Sequence, residues 1–155
     1  GGGGAAQLNV TSGGISGEAS VVSGYIEAGG GPGGKYSAES TDGGVATGGN
    51  VENLPGGPSV KGSAAAYTGG GSSPYGGAGG SPDYDRLTLL GRPGEPPGGG
   101  GGAVNGSGGG GGAFSHSYFE NGFAATLDIH VGNGGPSLGS RSGPGAPGRV
   151  LIEWG

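Results

Sequence analysis

The chain has 155 residues, of which 49 are glycine, 11 are proline and none is cysteine or methionine, and its formal net charge is −5. Apolar residues make up 30% and charged residues 11%, against roughly 45–50% and about 25% in an ordinary globular domain, so neither a large side-chain core nor a self-repelling disordered chain fits. Disulfides and thiolate metal sites are excluded, the scattered cations Lys35, Lys61, Arg86, Arg92, Arg141 and Arg149 argue against binding a phosphate backbone, and no apolar run approaches the length of a membrane-spanning helix.

Glycine loses more backbone freedom on folding than any other residue. A chain one-third glycine therefore orders only if backbones pack directly on one another. The glycine runs are irregularly spaced, so the strict third-position period of collagen is missing. β-branched and aromatic segments lie between the runs, which a flexible linker lacks. A single domain is expected at this length. Beginning at Gly1 without methionine, it reads as a C-terminal piece of a longer protein.

No segment has a 3.6-residue apolar period, and glycine and proline break every candidate helix. The predicted fold is mostly irregular and all-β, with essentially no α-helix. Strands are predicted, in chain order, at Ser20–Ala28, Arg86–Leu90, Phe114–Glu120, Ala124–Val131 and Arg149–Trp154. In the fourth, Leu127, Ile129 and Val131 alternate with Asp128 and His130. Asn121-Gly122-Phe123 between the third and fourth suits a hairpin loop.

Among the glycine segments, Tyr75–Ser81 (YGGAGGS) and Gly30–Gly34 (GGPGG) carry a triplet. Three residues per turn is the period of a polyproline-II-type helix, which leaves two edges of each helix as bare backbone. Such helices pack closely, with amides bonding carbonyls on their neighbours. The expectation is a sandwich of polyglycine-II helices capped by short strands. Gly98–Gly102 and Gly108–Gly112 carry no side chain to set a phase.

Several motifs fail on context. Gly135–Gly139 (GPSLG) matches the nucleophile elbow around Ser137, but SRSGPGAPG after it cannot form the required helix. Gly29–Lys35 fits a phosphate loop only as far as Tyr36, where Ser or Thr is needed. His116 and His130 would need a third metal ligand such as Asp128 or Glu120 and read as solvated strand-face residues, and Asp83 and Asp85 lack an EF-hand frame. Asn9 and Asn105 open glycosylation sequons, relevant only to a eukaryotic secreted protein. No cofactor and no catalysis are expected.

The blocks GVATGGNVENLPGG (44–57), GGGSSPYGGAGG, AATLDIHVGNGG and GPGAPGRVLIEWG together resemble the glycine-rich C-terminal domains of bacteriophage tail fibres over most of residues 44–155. The resemblance implies a fibre-tip adhesin similar to the polyglycine-sandwich adhesins of T-even-type phages; related bacterial fibres look similar. It implies attachment to a bacterial surface glycan or outer-membrane protein, an upstream fibre shaft as partner, a place at a virion tail fibre tip or on an extracellular fibre, and a possible homotrimer, since such shafts are commonly trimeric.

Functional residues concentrate on loops held by rigid scaffolds, and tyrosine and arginine are favoured at binding hot spots. The segment PDYDRLTLLGRPGEPP (82–97) is the longest break in the glycine pattern and offers Asp83, Tyr84, Asp85, Arg86 and Arg92 as receptor contacts. The turn with Tyr118, Phe119, Asn121 and Phe123 is the second candidate. Tyr25, Tyr36, Tyr67 and Tyr75 are expected on scaffold edges, and Trp154 as a core or interface plug. The rival classes are a structural spacer and an ice-binding protein. The latter needs a regular row of small residues, and Thr11, Thr41, Thr47, Thr68, Thr88 and Thr126 are scattered.

Overall fold

The computed structural model describes residues 1–6, 13–35, 40–60, 67–82, 90–104, 106–120 and 126–154. Among these there is no helix; short antiparallel strands are embedded in irregular backbone. The all-β and irregular character read from the sequence is what the described residues adopt.

Cross-strand hydrogen bonding outside the sheets has a repeat of three residues. In segment 1–6 the amides of Gly2 and Ala5 donate to the carbonyls of Glu18 and Ile15, those of Gly3 and Ala6 to Ala146 and Gly143, and the Gly1 amino group and the Gly4 amide to Ala113 and Gly110. Successive residues thus address three different neighbours in turn. The same repeat recurs along the chain: Gly14 and Gly17 donate to Gly34 and Gly31, Gly56 and Ser59 to Gly44 and Thr41, and Gly109 and Gly112 to Gly101 and Gly98.

These bonds join segments 1–6, 13–18, 29–34, 41–45, 56–60, 69–73, 77–82, 91–95, 98–102, 108–113, 132–135 and 143–148 into one bundle. Segments 1–6, 98–102 and 108–113 bond mutually, through Gly4 to Gly110, Gly101 to Gly4 and Gly109 to Gly101. The other segments form a closed ring around them. The ring runs from 13–18 through 29–34, 41–45, 56–60, 69–73, 77–82, 91–95, 143–148 and 132–135, and Glu18 closes it by donating to Asn133.

This arrangement explains which runs are pure glycine. The three central segments are enclosed on all sides, and every described residue of 98–102 and 108–113 is buried. A Cβ on Gly4 would lie 2.0 Å from the Pro32 carbonyl oxygen, on Gly101 1.9 Å from that of Gly143, and on Gly110 1.9 Å from that of Asp42. No side chain fits at such separations, so no phase-setting residue is tolerated there. Ring segments keep an outward edge: Thr41 and Gly44 are buried while Asp42 and Val45 are exposed, and Gly77 and Gly80 are buried while Ala78 and Ser81 are exposed. Among the described residues the side-chain core is correspondingly small, consisting of Ala5, Ala6, Val22, Ala103, Val104, Ala113 and Ala146. Stability rests on satisfied backbone groups.

Successive segments run in opposite directions, so connections gather at two ends. One end carries connections 19–28, 46–55, 74–76 and 96–97, residues 114–120 and 126–131, Gly1 and residues 149–154. The other carries Ala6, Gly13, Lys35, Ser40, Val60, Tyr67, Thr68, Pro82, Leu90, Ala103, Val104, residues 106–107 and connection 136–142. At the first end β1 (Ser20–Val22), β2 (Ile26–Ala28), β3 (Ala46–Thr47) and β8 (Ile129–His130) form a sheet ordered β3-β2-β1-β8, and β4 (Glu52–Leu54) pairs with β7 (Phe114–His116). At the second, β5 (Tyr67–Thr68) pairs with β6 (Ala103–Val104).

Several strand expectations are corrected. Ser20–Ala28 is not one strand but the hairpin β1–β2, turning at Gly24 with φ of 81°, where glycine relieves the Cβ clash of the left-handed region. The third and fourth predicted strands do not pair with each other: β7 pairs with β4 and β8 with β1. The bundle dictates this, because segment 108–113 leads into β7 beside the 41–45 and 56–60 segments, while β8 enters 132–135 beside 13–18. Arg149–Trp154 takes no regular structure. Arg86–Leu90 and the Asn121-Gly122-Phe123 loop lie outside the described residues, Leu90 excepted, which is in no strand.

Candidate functional site

The end that carries β1–β4, β7 and β8 holds a cleft of about 670 Å³. Aromatic rings dominate its walls: Tyr25 and Phe119 meet edge to face at 5.1 Å between centroids, and Tyr75 and Phe114 at 4.3 Å with a 45° tilt. The Tyr75 hydroxyl donates to Glu52 Oε2 at 2.8 Å, and that carboxylate pushes the phenol above its ordinary pKa.

Tyr118 stands at the rim with 67% of its surface exposed, yet its backbone is held on both sides. Its amide donates to Asn50 Oδ1 at 2.9 Å, and Asn50 Nδ2 donates to its carbonyl at 2.8 Å. The Asn50 side chain thereby substitutes for a neighbouring strand. Asn50 is itself fixed by its amide's bond to Ser117 Oγ at 3.0 Å. The ring is therefore presented to solvent at low ordering cost, as a hot-spot aromatic requires.

The Gly1 amino group lies in the cleft wall, donating to the Ala113 carbonyl at 2.9 Å, and burial pushes its pKa down to about 6. On the outer edge of the same end, Glu18 Oε2 accepts the peptide N–H of Asn133 at 3.1 Å and its Nδ2–H at 3.0 Å, and lies 3.4 Å from His130 Nε2. The Asn133 peptide N–H, its side-chain amide and then His130 hold the Glu18 carboxyl below its ordinary range.

The described receptor-contact candidates sit at opposite ends of the bundle. Tyr118 and Phe119 line the cleft, whereas Arg92 opens segment 91–95 at the other end, where its amide donates to Ser81 and its carbonyl accepts from Gly102, both at 3.0 Å. Asp83, Tyr84, Asp85, Arg86, Asn121 and Phe123 lie outside the described residues. The described contacts of the two candidates are thus not brought together into one surface.

Tyr25 and Tyr75 are cleft residues rather than scaffold-edge residues, because each sits on a connection at the bundle end. Tyr36 and the side chain of Tyr67 are not among what is described. Trp154 is no core plug; it is 88% exposed at the cleft lip. Sequence reasoning also missed Phe114 as a cleft residue and Glu52 as the partner of the cleft residue Tyr75, since the pairing of β4 with β7 joins distant parts of the chain.

Other motifs find structural uses. The Ser137 hydroxyl lies within hydrogen-bond distance of the Gly139 and Ser142 carbonyls, and no helix follows it. Lys35 pairs with Asp42 at 3.6 Å. Thr41 and Thr68 are buried, Thr68 bonding the Gly106 carbonyl, so they contribute nothing to a surface array. Among the described residues no cluster of three metal-ligating side chains occurs. Comparison of the chain with protein-family models, with curated proteins and with solved structures finds no match.

Proposed function

We propose that this chain is the receptor-binding tip of a phage tail fibre or a related bacterial fibre, attaching to a bacterial surface glycan or outer-membrane protein. In this reading the segments are polyglycine-II helices forming a rigid, non-catalytic scaffold, and the loops at its ends carry recognition. The three-residue hydrogen-bond repeat supports the helical assignment. One observation carries the functional reading: close backbone packing restricts the bundle interior to glycine and a few small side chains, so its aromatic residues gather at the connections.

Gly1 and Gly148 both lie at the cleft end. A shaft joined to either leaves the opposite end, with Arg92, facing outward. That end is the favoured receptor surface. The sequence PDYDRLTLLGR (82–92), with acidic, basic and aromatic residues close together, suits recognition of sugars or of outer-membrane protein loops.

The test is binding of the purified domain to a panel of bacterial cells. One variant replaces residues 83–89 with a Gly/Ser linker and leaves segment 91–95 intact; a second carries Tyr118→Ala. Folding is checked for each by circular dichroism. Attachment lost with the first and kept with the second is expected. Attachment lost only with Tyr118→Ala moves the receptor site to the cleft end. No attachment to any strain sinks the adhesin reading and leaves a structural spacer.

A further inference from the structure

Arg149–Trp154 (RVLIEW) is strand-prone, half of it being β-branched or aromatic. It nevertheless has no strand partner. Among the described residues, nothing bonds its backbone amides or carbonyls, and the charged groups of Arg149 and Glu153 have no partner. It lies along the cleft at the end shared with Gly1.

Its exposure alternates. Val150 and Ile152 are half-buried, whereas Arg149, Leu151 and Glu153 are exposed, Leu151 by 64%. A period of two is that of a strand with one face laid against the protein. A row of free backbone donors and acceptors on such a segment is a template for another strand.

The order of the side chains selects the occupant. When the segment is set antiparallel to a second copy of itself, with Leu151 opposite Leu151, each Arg149 faces the other copy's Glu153, and Val150 faces Ile152. Opposed residues of an antiparallel pair project from the same face. The exposed face then becomes Arg–Glu, Leu–Leu, Glu–Arg, and two like copies meet across a twofold axis with both charge pairs matched.

We propose that Arg149–Glu153 is a self-association strand through which two copies of this chain pair antiparallel about Leu151. The pairing gives the free backbone groups partners, covers Leu151 and brings Trp154 close to the second copy. The inference rests on the free backbone and the charge order of this segment, independently of the adhesin reading.

The test is sedimentation equilibrium and light scattering of the whole chain over a concentration series. The wild type is expected to dimerise. Arg149→Glu and Glu153→Arg should each weaken the dimer about tenfold, because each reversal places like charges opposite one another at two symmetry-related positions. The double variant Arg149→Glu/Glu153→Arg should recover most of the loss. These residues are exposed, so circular dichroism should be unchanged in all three. A wild type that stays monomeric, a trimer, or a dimer indifferent to the single reversals overturns the proposal. So does a double variant no tighter than either single one.

Discussion

Gly4 donates its amide proton to the carbonyl of Gly110 at 2.9 Å, although the two are far apart along the chain. Both are central, and each is hemmed in by carbonyl oxygens where a side chain would begin. The fold therefore depends on the absence of atoms at particular positions. That dependence is sharp from one residue to the next.

Gly69 and Gly70 are adjacent, and their surroundings differ. A Cβ on Gly69 would meet nothing closer than the Gly80 carbonyl oxygen at 3.8 Å, while on Gly70 it would lie 1.9 Å from that of Gly100. Gly69→Ala should leave stability within about 0.5 kcal/mol of wild type. Gly70→Ala should cost roughly 1–3 kcal/mol or more, because the neighbouring segment has to move. Gly110→Val should be worse still, and Ser81→Ala harmless. Denaturant midpoints decide the matter; equal midpoints for Gly69→Ala and Gly70→Ala would remove the close-packing account.

Ser59 is a buried hydroxyl in the ring, and its Oγ accepts the Thr41 amide proton at 2.7 Å. Ser59→Ala leaves that amide buried without an acceptor. A loss of about 1–3 kcal/mol is expected from equilibrium unfolding. An unchanged midpoint would mean that the amide finds another acceptor.

The Glu18 carboxyl is held low first by the Asn133 peptide, then by its side-chain amide, with His130 contributing less. A depressed carboxylate contributes stability above its unfolded pKa, and the contribution is lost as pH falls through the folded value. In His130→Ala, carboxyl NMR titration should still find Glu18 below the ordinary range, because the Asn133 donors remain. A return to the ordinary value would make His130 the main cause.

With a free amino terminus, Gly1 gives stability a dependence on protonation of the same sign, in a higher pH window. Its amino group titrates near pH 6 in the fold, against 8.0 when exposed. Between these values the unfolded chain binds more protons, so stability should rise from pH 6 to pH 8. Acetylating the amine should flatten that rise. Urea midpoints across this range, with and without acetylation, provide the check.

The sequence disclosed the kind of packing but not its plan. A composition poor in apolar residues and rich in glycine runs demands backbone-on-backbone contact. The triplet at Tyr75–Ser81 even shows the period, with Ala78 and Ser81 outward. The centre was illegible for a physical reason: Gly98–Gly102 and Gly108–Gly112 occupy it because they have no pattern, and pattern is what a sequence reading follows. The cleft was half legible. Tyr118 and Phe119 stood out on a predicted turn, whereas Tyr75 and Glu52 come together only once β4 and β7 are paired. The Phe114–Val131 hairpin failed because local alternation carries no information about which neighbour the bundle supplies.

A run of identical residues cannot encode its own alignment. Sliding Gly98–Gly102 by one place replaces each interior glycine with another, so the bundle's middle offers no penalty against slippage. The penalty sits at the boundaries, where Ala103 and Val104 close one central segment and Ala113 closes the other, all three buried. Those few methyl groups act as stops. Inserting one glycine inside a run should therefore be absorbed silently along its length and felt where the run ends, at the connections that carry the chemistry.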